Sequence, residues 1–144
     1  MRTMMLAAAV VMAACATQAQ AQTNEDRSGT WAFQTAPYGT QQVGVIMSGV
    51  AVVSAVAPDR YDIRLLANER LINRMTGETQ LLTARQTCSG VADGPVFNIT
   101  CELAEPLEGY APDNFLLQAG ENADQLVGAL DSAASTDVTF TRLR

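Results

Sequence analysis

Apolar residues in this chain recur at every second position, in short runs separated by turn residues, and nowhere at a helical period over ten or more positions. Phe97, Ile99, Cys101 and Leu103 alternate with Asn98, Thr100 and Glu102, and Tyr61, Ile63 and Leu65 alternate with Asp62 and Arg64. In an extended chain successive side chains point to opposite faces, so this pattern describes strands with one face buried and one face wet. Strands are predicted over residues 31–35, 43–56, 61–68, 80–90, 97–103, 114–119, 125–130 and 136–143. Residues 69–73 either extend the third of these, the preferred reading, or form one helical turn, and Gly44 and Gly49 are bend points in the second. The breaks carry turn chemistry: Pro37-Tyr38-Gly39, Ala57-Pro58-Asp59-Arg60, Met75-Thr76-Gly77 and Ala92-Asp93-Gly94-Pro95. Connections are mostly short and no strand–helix–strand spacing occurs, which argues against a parallel sheet. The expected fold is all-β: an antiparallel eight-stranded up-and-down barrel, with a two-sheet β-sandwich as the alternative. A meander of eight such strands can close into a barrel, which removes its edges.

The first residues read differently. Arg2 is followed by an unbroken apolar run, Met4 to Cys15, and then by small and polar residues ending in Ala19-Gln20-Ala21. A basic head, a short apolar segment and an A-x-A site form the pattern of a secretory signal peptide. The run falls short of the roughly 20 residues that cross a bilayer. The expected organisation is therefore a signal peptide over 1–21, a flexible lead-in over 22–28 and a single β-barrel domain over 29–144. It implies a periplasmic or secreted protein with no transmembrane segment in the mature chain. In the alternative reading, Met12-Ala13-Ala14 precedes a lipidated Cys15 and anchors the protein to the envelope.

Export bears on the cysteines. Cys15 belongs to the leader, which leaves Cys88 and Cys101 as an even pair in an oxidising compartment, where a disulfide is the default. The turn at 92–95 folds their two strands into a hairpin. Cys88 opposite Cys101 then requires Ala92 opposite Phe97. Directly opposed residues have Cβ atoms close enough for a bridge.

Charge and missing residue types exclude several functions. The chain has nine basic and 15 acidic residues and no His. All nine cations are arginines, and loss of Arg2 with the leader moves the formal net charge from −6 to −7. Such a balance opposes nucleic acid, whose affinity comes largely from cationic contacts to phosphates, and it opposes anionic lipid. Without His there is no Ser-His-Asp or Cys-His arrangement, and zinc and iron lose their commonest nitrogen ligand. Glu69 and Glu78 are the carboxylates considered for acid–base chemistry, but acidic residues fall singly on turns and outward positions. Glu121-Asn122-Ala123-Asp124 has too few ligands for a calcium loop. No phosphate-binding glycine motif is present. The chain is accordingly expected not to be an enzyme and to use no metal and no cofactor.

Gly29-Thr30-Trp31 opens the first strand and Arg142 stands in the last. Together with strand count and length, these residues resemble the lipocalin or calycin superfamily, although its T-D-Y motif is absent. The resemblance implies that Trp31 closes one end of the barrel and that Arg142 packs across its ring, a cation–π contact. It also implies carriers of small apolar molecules, protease inhibitors or envelope proteins. Small inward residues in the second strand would leave a cavity. A core filled by Trp31, Phe33, Ile63, Leu65, Phe97, Phe115 and Phe140 is the preferred reading. The functional expectation is a non-enzymatic exported barrel that binds a small apolar ligand. The alternative is an envelope protein-interaction module, such as a protease inhibitor, working through loops around Tyr38 and Tyr110.

Overall fold

The structure is a computed structural model, and it describes residues 25–144. The expected signal peptide over 1–21 and Cys15 lie outside the described residues. Nine strands form among those residues: β1 (Gly29–Thr35), β2 (Tyr38–Gly39), β3 (Val43–Ala57), β4 (Arg60–Asn73), β5 (Thr79–Asp93), β6 (Val96–Leu103), β7 (Asn114–Ala119), β8 (Gln125–Asp131) and β9 (Ser135–Arg142). Every pairing is antiparallel, and β3 to β9 follow one another as neighbours. β1 pairs with β9 on one side and with β3 on the other, which closes an eight-stranded barrel. The sandwich alternative is not realised. The two-residue β2, read from the sequence as part of a turn, adds only to the start of β3.

Turn chemistry sets the tight connections. Ala57 pairs with Arg60 and Asp93 with Val96, so each of these hairpins has a two-residue loop. In the second loop Gly94 takes φ +56° ahead of Pro95, whose ring holds φ negative. That combination suits a type II′ turn, whose twist matches the flanking strands. In this register Cys88 faces Cys101 and Ala92 faces Phe97. The disulfide is formed, with Cα atoms 4.0 Å apart.

The interior is filled. Trp31, Phe33, Phe97, Phe115 and Phe140 are all buried. Phe33 stacks on Phe140 at 5.0 Å, and Phe115 meets both rings edge-on at 5.5 and 5.2 Å. Such arrangements add to the gain from burying ring area. The small inward residues of β3 to β5 are the counterpart of these rings. Gly49 lies opposite Phe33, Ala51 opposite Trp31, and the Phe97 ring lies over Gly90.

Gly49 makes the point testable. A Cβ there would lie 2.6 Å from the Phe33 ring and run into the Leu66 carbonyl oxygen. Because the obstacle is partly backbone, Gly49→Ala is expected to destabilise the barrel by about 1–3 kcal/mol. Urea unfolding should show a lower midpoint at unchanged slope. An unaltered midpoint would contradict this close approach of β1 to β3.

Candidate functional site

The two ends of the barrel are built differently. At the end where β1 begins, Trp31 is 0% exposed and the Arg142 guanidinium lies 4.3 Å from the centre of its ring. The same guanidinium donates to the carbonyl oxygens of Ser28 and, at 3.0 Å, Asp26, and its Nε sits 3.3 Å from Asp124. The Trp31 indole N–H donates to the Arg27 carbonyl at 3.0 Å, and the Arg27 amide donates to the Tyr61 hydroxyl at 3.2 Å. The inner part of the expected lead-in is thus drawn onto the barrel, and Arg27 is only 2% exposed. This end is a plug of side chains and strapped backbone.

The opposite end is a mouth with a pocket. Polar residues reach it because the inward alternation of several strands runs on past the apolar core. In β4 the inward series Tyr61, Ile63, Leu65, Ala67 continues to Glu69, and in β5 the inward face includes Gln86. The long β6–β7 connection delivers Tyr110 and Asp113, and β2 delivers Tyr38. The pocket has a volume of about 240 Å³, with Met47, Leu71, Leu82 and Leu130 forming its apolar lining and Tyr38, Glu69, Tyr110 and Asp113 its polar lining.

Hydrogen bonds order the polar side. The Tyr38 hydroxyl donates to Glu69 at 2.8 Å. Asp113 Oδ2 accepts from the Tyr110 hydroxyl at 2.7 Å and from the Gln86 amide at 2.6 Å. Gln86 in turn accepts from the Asp113 backbone N–H at 2.8 Å. The Ser132 hydroxyl donates to the carbonyl oxygens of Ala111 and Pro112 and ties the β6–β7 connection to the β8–β9 turn. Asp113 is 0% exposed, and its Oδ1 has no hydrogen-bond partner.

Burial pushes the Asp113 carboxyl above its usual pKa, while hydrogen bonds from Tyr110 and Gln86 pull it back. Burial raises both tyrosines as well, reinforced at Tyr38 by its bond to Glu69 and at Tyr110 by the nearby Asp113. Both hydroxyls therefore stay protonated and act as donors to the carboxyl groups.

No family model and no curated protein matches this chain. Among solved structures it is similar to a de novo designed fluorescence-activating β-barrel. The TM-score is 0.55 at 16% identity, covering 81% of this chain and 93% of that one. At that identity the likeness is one of fold. It agrees with the closed antiparallel eight-stranded barrel.

The residues singled out in the sequence divide between the two ends and the wall. Trp31 and Arg142 meet at the plugged end, and Cys88 and Cys101 bridge β5 to β6 with both sulfurs buried. Glu78 is exposed in the β4–β5 connection, so Glu69 shares the mouth with Asp113 instead. Asp113 and Gln86 were not singled out. A signal for Gln86 existed: it occupies an inward position of β5, where the alternation calls for an apolar residue. Among the described residues no group of three or more metal-ligating side chains occurs, and no helix is long and apolar enough to cross a membrane.

Proposed function

We propose that this protein is a non-enzymatic, exported barrel of lipocalin-like build that binds a small molecule at its mouth. One observation carries the reading: a pocket of about 240 Å³ is lined by apolar side chains and by Asp113, a buried carboxyl with one oxygen that has no donor. Concave sites with mostly apolar walls and a few convergent polar groups are the usual form of small-ligand sites. The leader pattern supports export. The Trp31–Arg142 stack supports the lipocalin-like build, and the fold shared with a designed fluorescence-activating barrel is compatible with a binding role. The filled middle of the barrel directs the ligand to the mouth.

Two carboxyl groups at one pocket also suit hydrolysis, but Glu69 and Asp113 each already accept a tyrosine hydroxyl. Asp113 has no exposed surface with which to reach a substrate. Binding without chemistry fits this better.

The test is a native mass spectrum of the protein recovered from its own envelope, beside a denatured one. An extra mass lost on denaturation is expected for the wild type and is expected to disappear in Ala134→Trp, which fills the mouth from the β8–β9 turn. A bare wild-type protein, or an extra mass indifferent to Ala134→Trp, would remove the mouth as the site. A second reading, a protein-interaction module, is favoured by one feature. A groove of about 470 Å³ on the outer face of β3 to β5 is lined by Val50, Val52 and Leu66 beside Arg64 and Arg85. Leu66→Asp should leave the extra bound mass in place if the mouth is the binding site.

A further inference from the structure

The mouth pocket has a chemical bias. Its lining carries two carboxyl groups and two tyrosines, and no arginine is among its lining residues. The neighbouring donors of the network are already committed: Tyr110 and Gln86 to Asp113 Oδ2, Tyr38 to Glu69, and Ser132 to two backbone carbonyls. Asp113 Oδ1 is left buried without a donor. An acceptor without a donor leaves the Asp113 carboxyl incompletely compensated, which favours a positive group in the pocket it lines. The aromatic faces of Tyr38 and Tyr110 are also suited to hold positive charge.

Resting on the mouth being the binding site, we infer that its ligand is a small organic cation, a protonated primary amine on a short apolar body. The ammonium group donates to Glu69, the nearby Asp113 carboxyl adds electrostatic attraction, and the body lies against Met47 and Leu130. An ammonium fits better than a guanidinium. It is compact, carries three donors and needs no planar slot, and the pocket holds only about 240 Å³. An anion would face two carboxyl groups with no compensating arginine in the lining. A neutral alcohol of the same shape could still donate to a carboxylate but would lack the attraction between opposite charges.

Three probes of one shape test this: benzylammonium, benzyl alcohol and benzoate, each titrated into the full protein and followed by NMR shifts of the Gln86, Tyr110 and Asp113 amides. Benzylammonium is expected to give saturable shifts with an affinity at least about tenfold above that of benzyl alcohol, and benzoate none. Glu69→Gln removes one charge from a partly exposed position and is expected to weaken benzylammonium about tenfold. Asp113→Asn should do the same. Should that buried substitution unfold the mouth, Glu69→Gln still decides the matter.

Equal affinity for benzyl alcohol and benzylammonium, or no effect of Glu69→Gln, overturns the cationic ligand but leaves the mouth as a site. Shifts absent with all three probes overturn the inference. The mouth itself falls only if the native mass is also bare or indifferent to Ala134→Trp.

Discussion

Truncating Trp31 to alanine is expected to destabilise the protein by about 3–5 kcal/mol, the range for removing a fully buried large aromatic side chain. Trp31 is 0% exposed and plugs one end of the barrel, so the wall has no means of closing over the space left behind. The loss is more than a cavity. The indole N–H donates to the Arg27 carbonyl and the ring carries the Arg142 guanidinium, so the straps over that end lose both attachments. Trp31→Phe keeps a ring for Arg142 but forfeits the N–H, and it should cost clearly less than the alanine change. Chemical denaturation of the two variants measures both effects. A loss below about 1 kcal/mol in Trp31→Ala would mean that this end is not held as described.

Removing the disulfide is the second large effect. Cys88 and Cys101 are separated by 13 positions in sequence. Cross-linking a loop of about that length restricts the unfolded chain by roughly 3 kcal/mol, so Cys88→Ala with Cys101→Ala should lower stability by about that amount. Both sulfurs are buried on the inward face, and alanine avoids placing hydroxyl groups there. The register of β5 and β6 is also set by the Gly94-Pro95 turn and by Ala92 facing Phe97, so the hairpin should persist in the double mutant. Cross-strand NOEs between β5 and β6, together with the unfolding midpoint, check both parts. An unchanged midpoint would show that the bridge contributes nothing, and a changed register would show that the turn alone is too weak.

Much of this architecture could be read along the chain. Alternation in β4 and β6, the turn residues at 57–60 and 92–95, and the Cys88–Cys101 register are local properties. They depend on side-chain direction in an extended strand and on which residues tolerate the turn's dihedral angles. β2 was missed because two paired residues next to Pro37 carry no periodicity. The inner lead-in looked merely polar, because Arg27 is buried by contacts with Trp31 and Tyr61 that no local pattern announces.

The candidate site was only half legible. Tyr38, Glu69 and Tyr110 were noticed separately, as loop residues or as a carboxylate. Gln86 and Asp113 were passed over although Gln86 breaks the inward apolar series of β5. Their meeting depends on pairs 27 and 31 residues apart, Gln86 with Asp113 and Tyr38 with Glu69, which are joined only when the strands are stacked in register.

The sequence by itself determined the fold class, the strand positions, the tight turns and the cysteine pairing, because each follows from a period of two or from the chemistry of a few adjacent residues. Only the tertiary structure decided that the sheet closes, that the small residues of β3 to β5 admit rings instead of leaving a hollow, and that two carboxyl groups share the mouth. The physical reason is common to all three. A glycine or alanine on an inward face leaves space, and whether that space stays empty depends on the residue that closure brings from the other side: Phe33 over Gly49, Phe97 over Gly90 and, at the mouth, Asp113 beside Gln86.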